Sequence, residues 1–350
     1  MTATVSRSAD WVAVRDMHAP ADGRDNAIDT MRGIAILMVI GIHSFQQPLD
    51  TPWAVAVDAA LRPCVPIFLF ASGYLTAFSG RIPLAKRLKA TLIPYATAFV
   101  GAYIYMTLHN SAMDHRLITT LARFGLAYVF VYYYVFVYVA CTVVMWLILA
   151  ITATDTPEAK HKRTLVLILA IGAGLIFGSY VDPALSRMGF SDALIDEVRM
   201  RDIPFWFSFM AAGALTAMYP RFGERDAGGI LLSVMLFAYV VYAAVRLFAI
   251  GDAAAYDSIA FFAYATLLCL WLFARQPKSP PLAKIGSGSY FIYLWHIFFI
   301  MALRDHVALL QFGPVLNSAI TYALTVSFTV LLLAAVRQVA SRPALRWLGA

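Results

Sequence analysis

Charge is what this chain has least of. Only 13% of its 350 residues are Asp, Glu, Lys or Arg, while 61% are hydrophobic. A water-soluble domain of this length carries about twice that share of charge, so a soluble globule is excluded. Cysteine is scarcer still. Cys64, Cys141 and Cys269 all fall in or at the edge of apolar runs. They form no CxxC pair and no Cys/His cluster, so neither a disulfide framework nor a metal centre is expected. The chain also lacks internal repeats and low-complexity tracts. Residues 1–26 have no hydrophobic periodicity and read as a disordered cytoplasmic tail. The first apolar segment begins only near residue 31, and no small-residue cleavage site follows it, which excludes a signal peptide.

What the sequence has in quantity is long apolar runs. Breaks at charged, Gly and Pro clusters delimit ten of them, near 31–48, 60–79, 91–108, 128–152, 164–181, 203–219, 228–249, 256–274, 287–303 and 316–338. About twenty apolar residues cross the hydrocarbon core as a helix. The expected fold is therefore an all-α, multi-pass membrane bundle, with one domain over 27–340 and a short cytoplasmic tail at 341–350. The formal charge of +7 then reports topology, and nucleic acid is not an expected partner. With the N-terminus inside, nineteen of the 27 Lys and Arg residues fall on the cytoplasmic side and eight on the other. The inside set includes Arg7, Arg15, Arg24, Arg81, Arg221 and Arg225. The excess places both termini in the cytoplasm.

The first run reads Asp29-Thr-Met-Arg32-Gly-Ile-Ala-Ile-Leu-Met-Val-Ile-Gly-Ile-His43. Eleven residues separate Arg32 from His43, three turns plus about 20°, so the two share a face about 16 Å apart along the axis. Ionisable groups in a bilayer face a bundle interior or a water-filled cavity. An Arg near the helix end suits an anion, and a deeper His suits proton chemistry. The segment 81–90 holds Lys86, Arg87 and Lys89 just before the third run. It reads either as a topology signal attracting anionic lipid or as a phosphate-binding rim beside Arg32.

Late in the chain, Ser289, Tyr293 and His296 are spaced by four and three, hence on one helix face, with Tyr290 beside it. In the second run, Ser72-Gly73 reads first as a close helix-packing site. Tyr132, Tyr133, Tyr134 and Tyr138 open the fourth run, where an interfacial belt and a sugar-stacking surface are both compatible with the pattern.

Together these residues resemble the acyltransferase-3 family of bacterial membrane O-acyltransferases over residues 26–340. The resemblance rests on Asp29-x-x-Arg32-Gly-Ile-Ala with His43, on Ile67-Phe-Leu-Phe-Ala-Ser-Gly-Tyr74, on the basic stretch ending in Ile93-Pro94-Tyr95, and on Gly286-Ser-Gly-Ser-Tyr290-x-x-Tyr-Leu-Trp-His296. It implies transfer of an acyl group, usually acetyl, from cytoplasmic acyl-CoA to a carbohydrate hydroxyl, on a surface polysaccharide or a lipid-linked precursor at the inner membrane. Acetyl-CoA would be a substrate, with no tightly bound cofactor. By that similarity His43 is the essential histidine, with Arg32 its partner and Asp29 completing the motif. The family often has Arg-x-x-Arg in the basic stretch; here Ala90 stands at the second Arg position, and Lys86 and Lys89 supply charge without bidentate geometry. No soluble esterase-like module follows, which points to the stand-alone, exopolysaccharide-modifying type.

In such a reaction His43 is a general base or a covalent acyl carrier, and residue types alone do not separate the two. Ser72, Tyr290, Tyr293 and His296 are candidates for oxyanion or acceptor contacts. A proton-coupled transporter would also bury His and Arg but would favour repeated halves. A flippase or scaffold of a polysaccharide pathway, without chemistry, is the third reading.

Overall fold

A membrane interior leaves no water for orphaned backbone groups, so apolar runs there must close their hydrogen bonds within helices. The computed structural model describes residues 25–350 except 46–48, 50, 81, 111, 153–155, 220–227, 251–255, 257 and 308. The tail 1–24 and Arg7, Arg15, Arg24, Arg81, Arg221 and Arg225 lie outside the described residues. Among the described residues all regular structure is helical, and the protein is an all-α polytopic bundle.

In chain order the helices are α1 (Asn26–Ser44), α2 (Pro52–Leu61), α3 (Cys64–Ser79), α4 (Leu84–His109), α5 (Leu117–Gly125), α6 (Tyr133–Ile151), α7 (Pro157–Arg187) and α8 (Asp192–Met200). They continue with α9 (Ile203–Met218), α10 (Gly228–Leu247), α11 (Ile259–Arg275), α12 (Pro280–Gly286), α13 (Ser289–His306), α14 (Pro314–Val339) and α15 (Arg342–Leu348). Side-chain caps start several of them. Asp25 accepts from the Ala27 and Ile28 amides at 2.9 and 3.2 Å, and Thr156 and Ser258 do the same for α7 and α11. Each satisfies donors that the first helical turn leaves open.

Every expected run contains a helix, but they are not ten equal rods. Among the described residues seven spans are long and apolar enough to cross a membrane, or eight if the α12–α13 pair, bent by 76°, is counted as one span. The helices α9 and α11, of 16 and 17 residues, are shorter. Connections expected to be plain loops also hold helices: α5 between α4 and α6, and α8 between α7 and α9. At nine residues each, they show barely two turns of periodicity, too little to stand out from a loop. The expected tail 341–350 carries α15, which packs against α4.

Glycines let two pairs of helices touch backbone to backbone. A Cβ on Gly73 would lie 1.9 Å from the Met210 carbonyl oxygen, and one on Gly213 2.0 Å from that of Phe70, so α3 and α9 are locked at van der Waals contact. A Cβ on Gly33 would meet the Leu282 oxygen at 2.2 Å, and one on Gly286 the Asp29 oxygen at 1.8 Å. The second pair seats the bend before α13 on the first turns of α1, and that seat builds the site below.

One connection carries a pH-dependent element. Asp202 caps α9 through the Phe205 amide at 3.3 Å, but its Oδ2 is buried with no partner among the described residues. Burial, with nearby Asp182 adding to it, pushes the carboxyl up to about 6. The folded state thus keeps a proton that the unfolded chain releases near pH 4, so stability falls as pH rises from about 4 to 6 and stays lower above that. Asp202→Asn keeps the cap acceptor without the charge. Its thermal midpoint in detergent should exceed wild type at pH 8 and match it near pH 4. Equal midpoints at both pH values would refute this account.

Candidate functional site

The site grows from the contact between α1 and α13. Gly286 meets Asp29 at the start of α1. Arg304, in the last turn of α13, donates from Nη2 to the His43 carbonyl oxygen at 2.8 Å and to that of Phe45 at 3.0 Å. Contact near both ends means the helices lie side by side in the same direction. Arg32 therefore sits beside the start of α13, and His43 beside its middle and end.

At the Arg32 end the bundle opens a cavity of about 220 Å³. Arg32 reaches it from α1, Ser72 from α3, Thr91 from α4, Tyr134 and Tyr138 from α6, and Ser289, Tyr290 and Tyr293 from α13. The Arg32 side chain is 30% exposed, and its Nη1 is 3.5 Å from Asp29 Oδ1. Asp29 is itself buried and is not among the lining residues; its role is to hold the guanidinium one turn on. The first turn of α13 also borders this space through Ser289 and Tyr290, and a helix N-terminus adds to the positive potential supplied by Arg32.

The basic stretch lies outside the cavity wall but next to it. Lys86 and Lys89 are exposed. Arg87 is half-buried and donates from Nη1 to Thr76 Oγ1 at 2.5 Å, one turn beyond Ser72 on α3. The Thr91 hydroxyl donates to the Arg87 carbonyl oxygen at 3.1 Å, so this arginine stands one helical turn from the lining.

The tyrosines of the fourth run face inward. Tyr132 and Tyr134 are buried, and the Tyr132 hydroxyl donates to the Leu294 carbonyl oxygen at 2.8 Å. Of the two readings their pattern allowed, an interfacial belt does not fit these two residues. The tyrosine hydroxyls of α13 are committed as well: Tyr290 donates to the Thr91 oxygen at 2.7 Å and Tyr293 to the Val131 oxygen at 2.6 Å. Ser72 lines the cavity while Gly73 makes the backbone contact with α9, so this dipeptide serves packing and lining at once.

Past Tyr293 lie two imidazoles. The rings of His43 and His296 have centroids 5.4 Å apart and are tilted by 33°, and the Tyr293 ring is 6.2 Å from that of His296. His296 is fully buried. Its Nδ1 lies 2.8 Å from the Tyr293 oxygen and 3.1 Å from the Ile292 oxygen. Carbonyls only accept, so Nδ1 carries the proton and Nε2 is a bare lone pair. That Nε2 is buried and has no partner among the described residues. Neither histidine lines the cavity; Tyr293 stands between the cavity and the pair.

Sequence reasoning missed one charged cluster. Asp58, fully buried, accepts from Arg62 Nε at 2.8 Å and Nη2 at 3.1 Å, and from Arg246 Nη1 at 2.5 Å. The spacing of four between Asp58 and Arg62 was a readable signal. The arrival of Arg246, 188 residues later, was not.

A cation-lined cavity and a facing pair of imidazoles, one of them fully buried, joined along one helical seam, can bind an anion and move a proton. No curated protein and no solved structure matches the chain. The family model described as an acyltransferase domain matches residues 25–335, nearly the whole chain, and by that match the protein belongs to the acyltransferase-3 family of membrane acyltransferases.

Proposed function

We propose that the protein moves an acyl group, acetyl in the first instance, from cytoplasmic acyl-CoA to a hydroxyl of an exported or surface polysaccharide, or of its lipid-linked precursor, in the bacterial inner membrane. The observation that carries this reading is the seam itself: Arg32 and the start of α13 line a cavity at one end, and His43 meets His296 at the other. Phosphates of the donor suit the Arg32 end, where the exposed Lys86 and Lys89, with Arg87, form a cationic approach. The parallel course of α1 and α13 agrees with a ten-span layout in which both helices start in the cytoplasm. Both termini are then inside, and His43 lies toward the periplasmic half, where a carbohydrate reaches in.

His43 takes the proton as the acceptor oxygen attacks the thioester carbon. The new C–O bond forms, the C–S bond breaks, and the proton returns from His43 to the leaving sulfur, giving free CoA. Direct transfer needs no acyl-histidine, which remains the second route to the same product. For the oxyanion, Ser72 is the favoured donor, because the Tyr290 and Tyr293 protons already go to backbone carbonyls and His296 offers a lone pair. The test is radiolabelled acetyl-CoA incubated with membranes holding the protein and candidate acceptors. Label in carbohydrate supports the enzyme; vectorial uptake without transfer would support a transporter.

Arg32 gives a sharper test. Arg32→Ala should raise the apparent KM for acyl-CoA about ten- to hundredfold, the loss of one charge-assisted contact of about 1.5–3 kcal/mol. The carbohydrate KM should hold. Arg32→Lys should recover only part, since an ammonium lacks the guanidinium fork. Titrating acyl-CoA against detergent-solubilised enzyme decides, and an unchanged donor dependence would remove Arg32 from the donor site.

A further inference from the structure

We infer that His296 is a positioning residue for His43: a neutral imidazole whose Nε2 accepts a hydrogen bond from His43 and so turns the other His43 nitrogen toward the acceptor hydroxyl. The inference rests on the acyl-transfer reading for its consequence, but on geometry for its existence.

Three observations converge. The first is tautomer. Two backbone carbonyls at 2.8 and 3.1 Å hold the proton on Nδ1 of His296, so the ring is locked with a lone pair at Nε2. The second is solitude. That lone pair is fully desolvated, and among the described residues nothing bonds to it. The hydroxyls closest in sequence and packing cannot serve it, since Tyr293 donates to the Val131 oxygen and Tyr132 to the Leu294 oxygen. A buried acceptor left open is costly, and a leucine or phenylalanine would fill the same space without the cost. The third is distance. Two imidazoles sharing one N–H···N bond of about 3 Å have ring centres about 5.3 Å apart, and the His43–His296 separation is 5.4 Å. The separation thus leaves room for one N–H···N bond between the rings, made when the His43 N–H points at Nε2.

The consequence is the logic of the Ser-His-Asp triad with the carboxylate replaced by a neutral imidazole. A base with two nitrogens is useful only if the right one is bare. With its inner N–H given to His296, His43 keeps its outer nitrogen unprotonated. When His43 takes the hydroxyl proton it becomes an imidazolium, whose inner N–H stays on His296. No proton passes further; the captured one returns to the thiolate as CoA leaves. A carboxylate in this place would put a full charge in the bundle, whereas a neutral imidazole orients the base without one.

The experiment uses the full chain in detergent or nanodiscs, with His296→Phe and His296→Gln. Phe keeps the ring and removes the acceptor; Gln places a carbonyl oxygen near Nε2. His296→Phe should lower kcat at least a hundredfold, with the apparent KM for acetyl-CoA within twofold of wild type and an unchanged or higher thermal midpoint. His296→Gln should recover at least tenfold of that loss. In ¹⁵N-histidine spectra, His43 should show one tautomer in wild type and a mixture in His296→Phe. Full activity in His296→Phe would overturn the inference. So would a loss that tracks the thermal midpoint and is not relieved by Gln, the signature of a packing residue. A single His43 tautomer in both proteins would overturn it too. If wild type transfers no label to any acceptor, the acyl-transfer reading fails, while the tautomer comparison still decides whether the pair exists.

Discussion

His43→Ala is expected to bring acyl transfer to background while leaving the protein inserted and folded. A positioned general base contributes about 10²–10⁴ in rate, and if His43 carries the acyl group instead, the loss is complete. Either way the fall lies in kcat, because the cavity proposed for the donor is lined by Arg32, Ser72 and the α13 tyrosines and not by His43. Folding should survive. The link between the ends of α1 and α13 runs from Arg304 to the His43 backbone oxygen, which alanine retains. Transfer from acetyl-CoA is measured at matched expression, together with the thermal midpoint and elution profile in detergent. Near-wild-type transfer by a well-folded His43→Ala would sink the assignment of base and carrier alike. A variant that loses activity only because it aggregates is separated by the elution profile, and His43→Gln, closer in shape, then repeats the test.

The sequence already held much of this site, but in pieces. The spacing of Arg32 and His43 was legible because a helix fixes which residues share a face. The same rule placed Ser289, Tyr293 and His296 together, and in the structure that face divides: Ser289 and Tyr293 line the cavity, while His296 meets His43. Periodicity says which side of a helix a residue is on, not which neighbour it finds there. That α1 and α13 lie side by side is a contact between segments some 250 residues apart, and nothing local encodes it. The destinations of the tyrosine hydroxyls were hidden for a related reason. Tyr290 and Tyr293 looked like free donors, yet one reaches a carbonyl on α4 and the other a carbonyl in the turn before α6. The short helices α5 and α8 escaped because two turns give too little pattern, and the Asp58 network escaped because its third member, Arg246, comes from α10. The glycines gave the clearest partial signal: Gly73 pointed to close packing, though not to α9 as its partner.

Gly286→Ala should be among the most damaging single-methyl additions in the protein. The added Cβ would lie 1.8 Å from the Asp29 carbonyl oxygen, 2.8 Å from its carbonyl carbon and 2.7 Å from the Gly33 amide nitrogen. All three atoms are backbone within α1, so no rotamer change relieves the clash; α12 must lift away. Forcing extra volume into a packed contact costs about 1–3 kcal/mol, and close approach of this kind holds membrane helices together. The functional damage should exceed the loss of stability, because the lifted segment carries Ser287, Ser289 and Tyr290 away from Arg32 and opens the cavity proposed for the donor. The control is Gly172→Ala. Gly172 lies within α7 with nothing inside 4 Å of an added Cβ, and there alanine should be neutral or stabilising by up to about 1 kcal/mol. Thermal midpoints in detergent and acyl-CoA titrations on both variants test the contrast. Gly286→Ala should melt several degrees lower and, in whatever folded fraction remains, show a raised donor KM. If it instead behaved like Gly172→Ala in both measurements, the backbone seat between α12 and α1 would not be what builds the donor cavity.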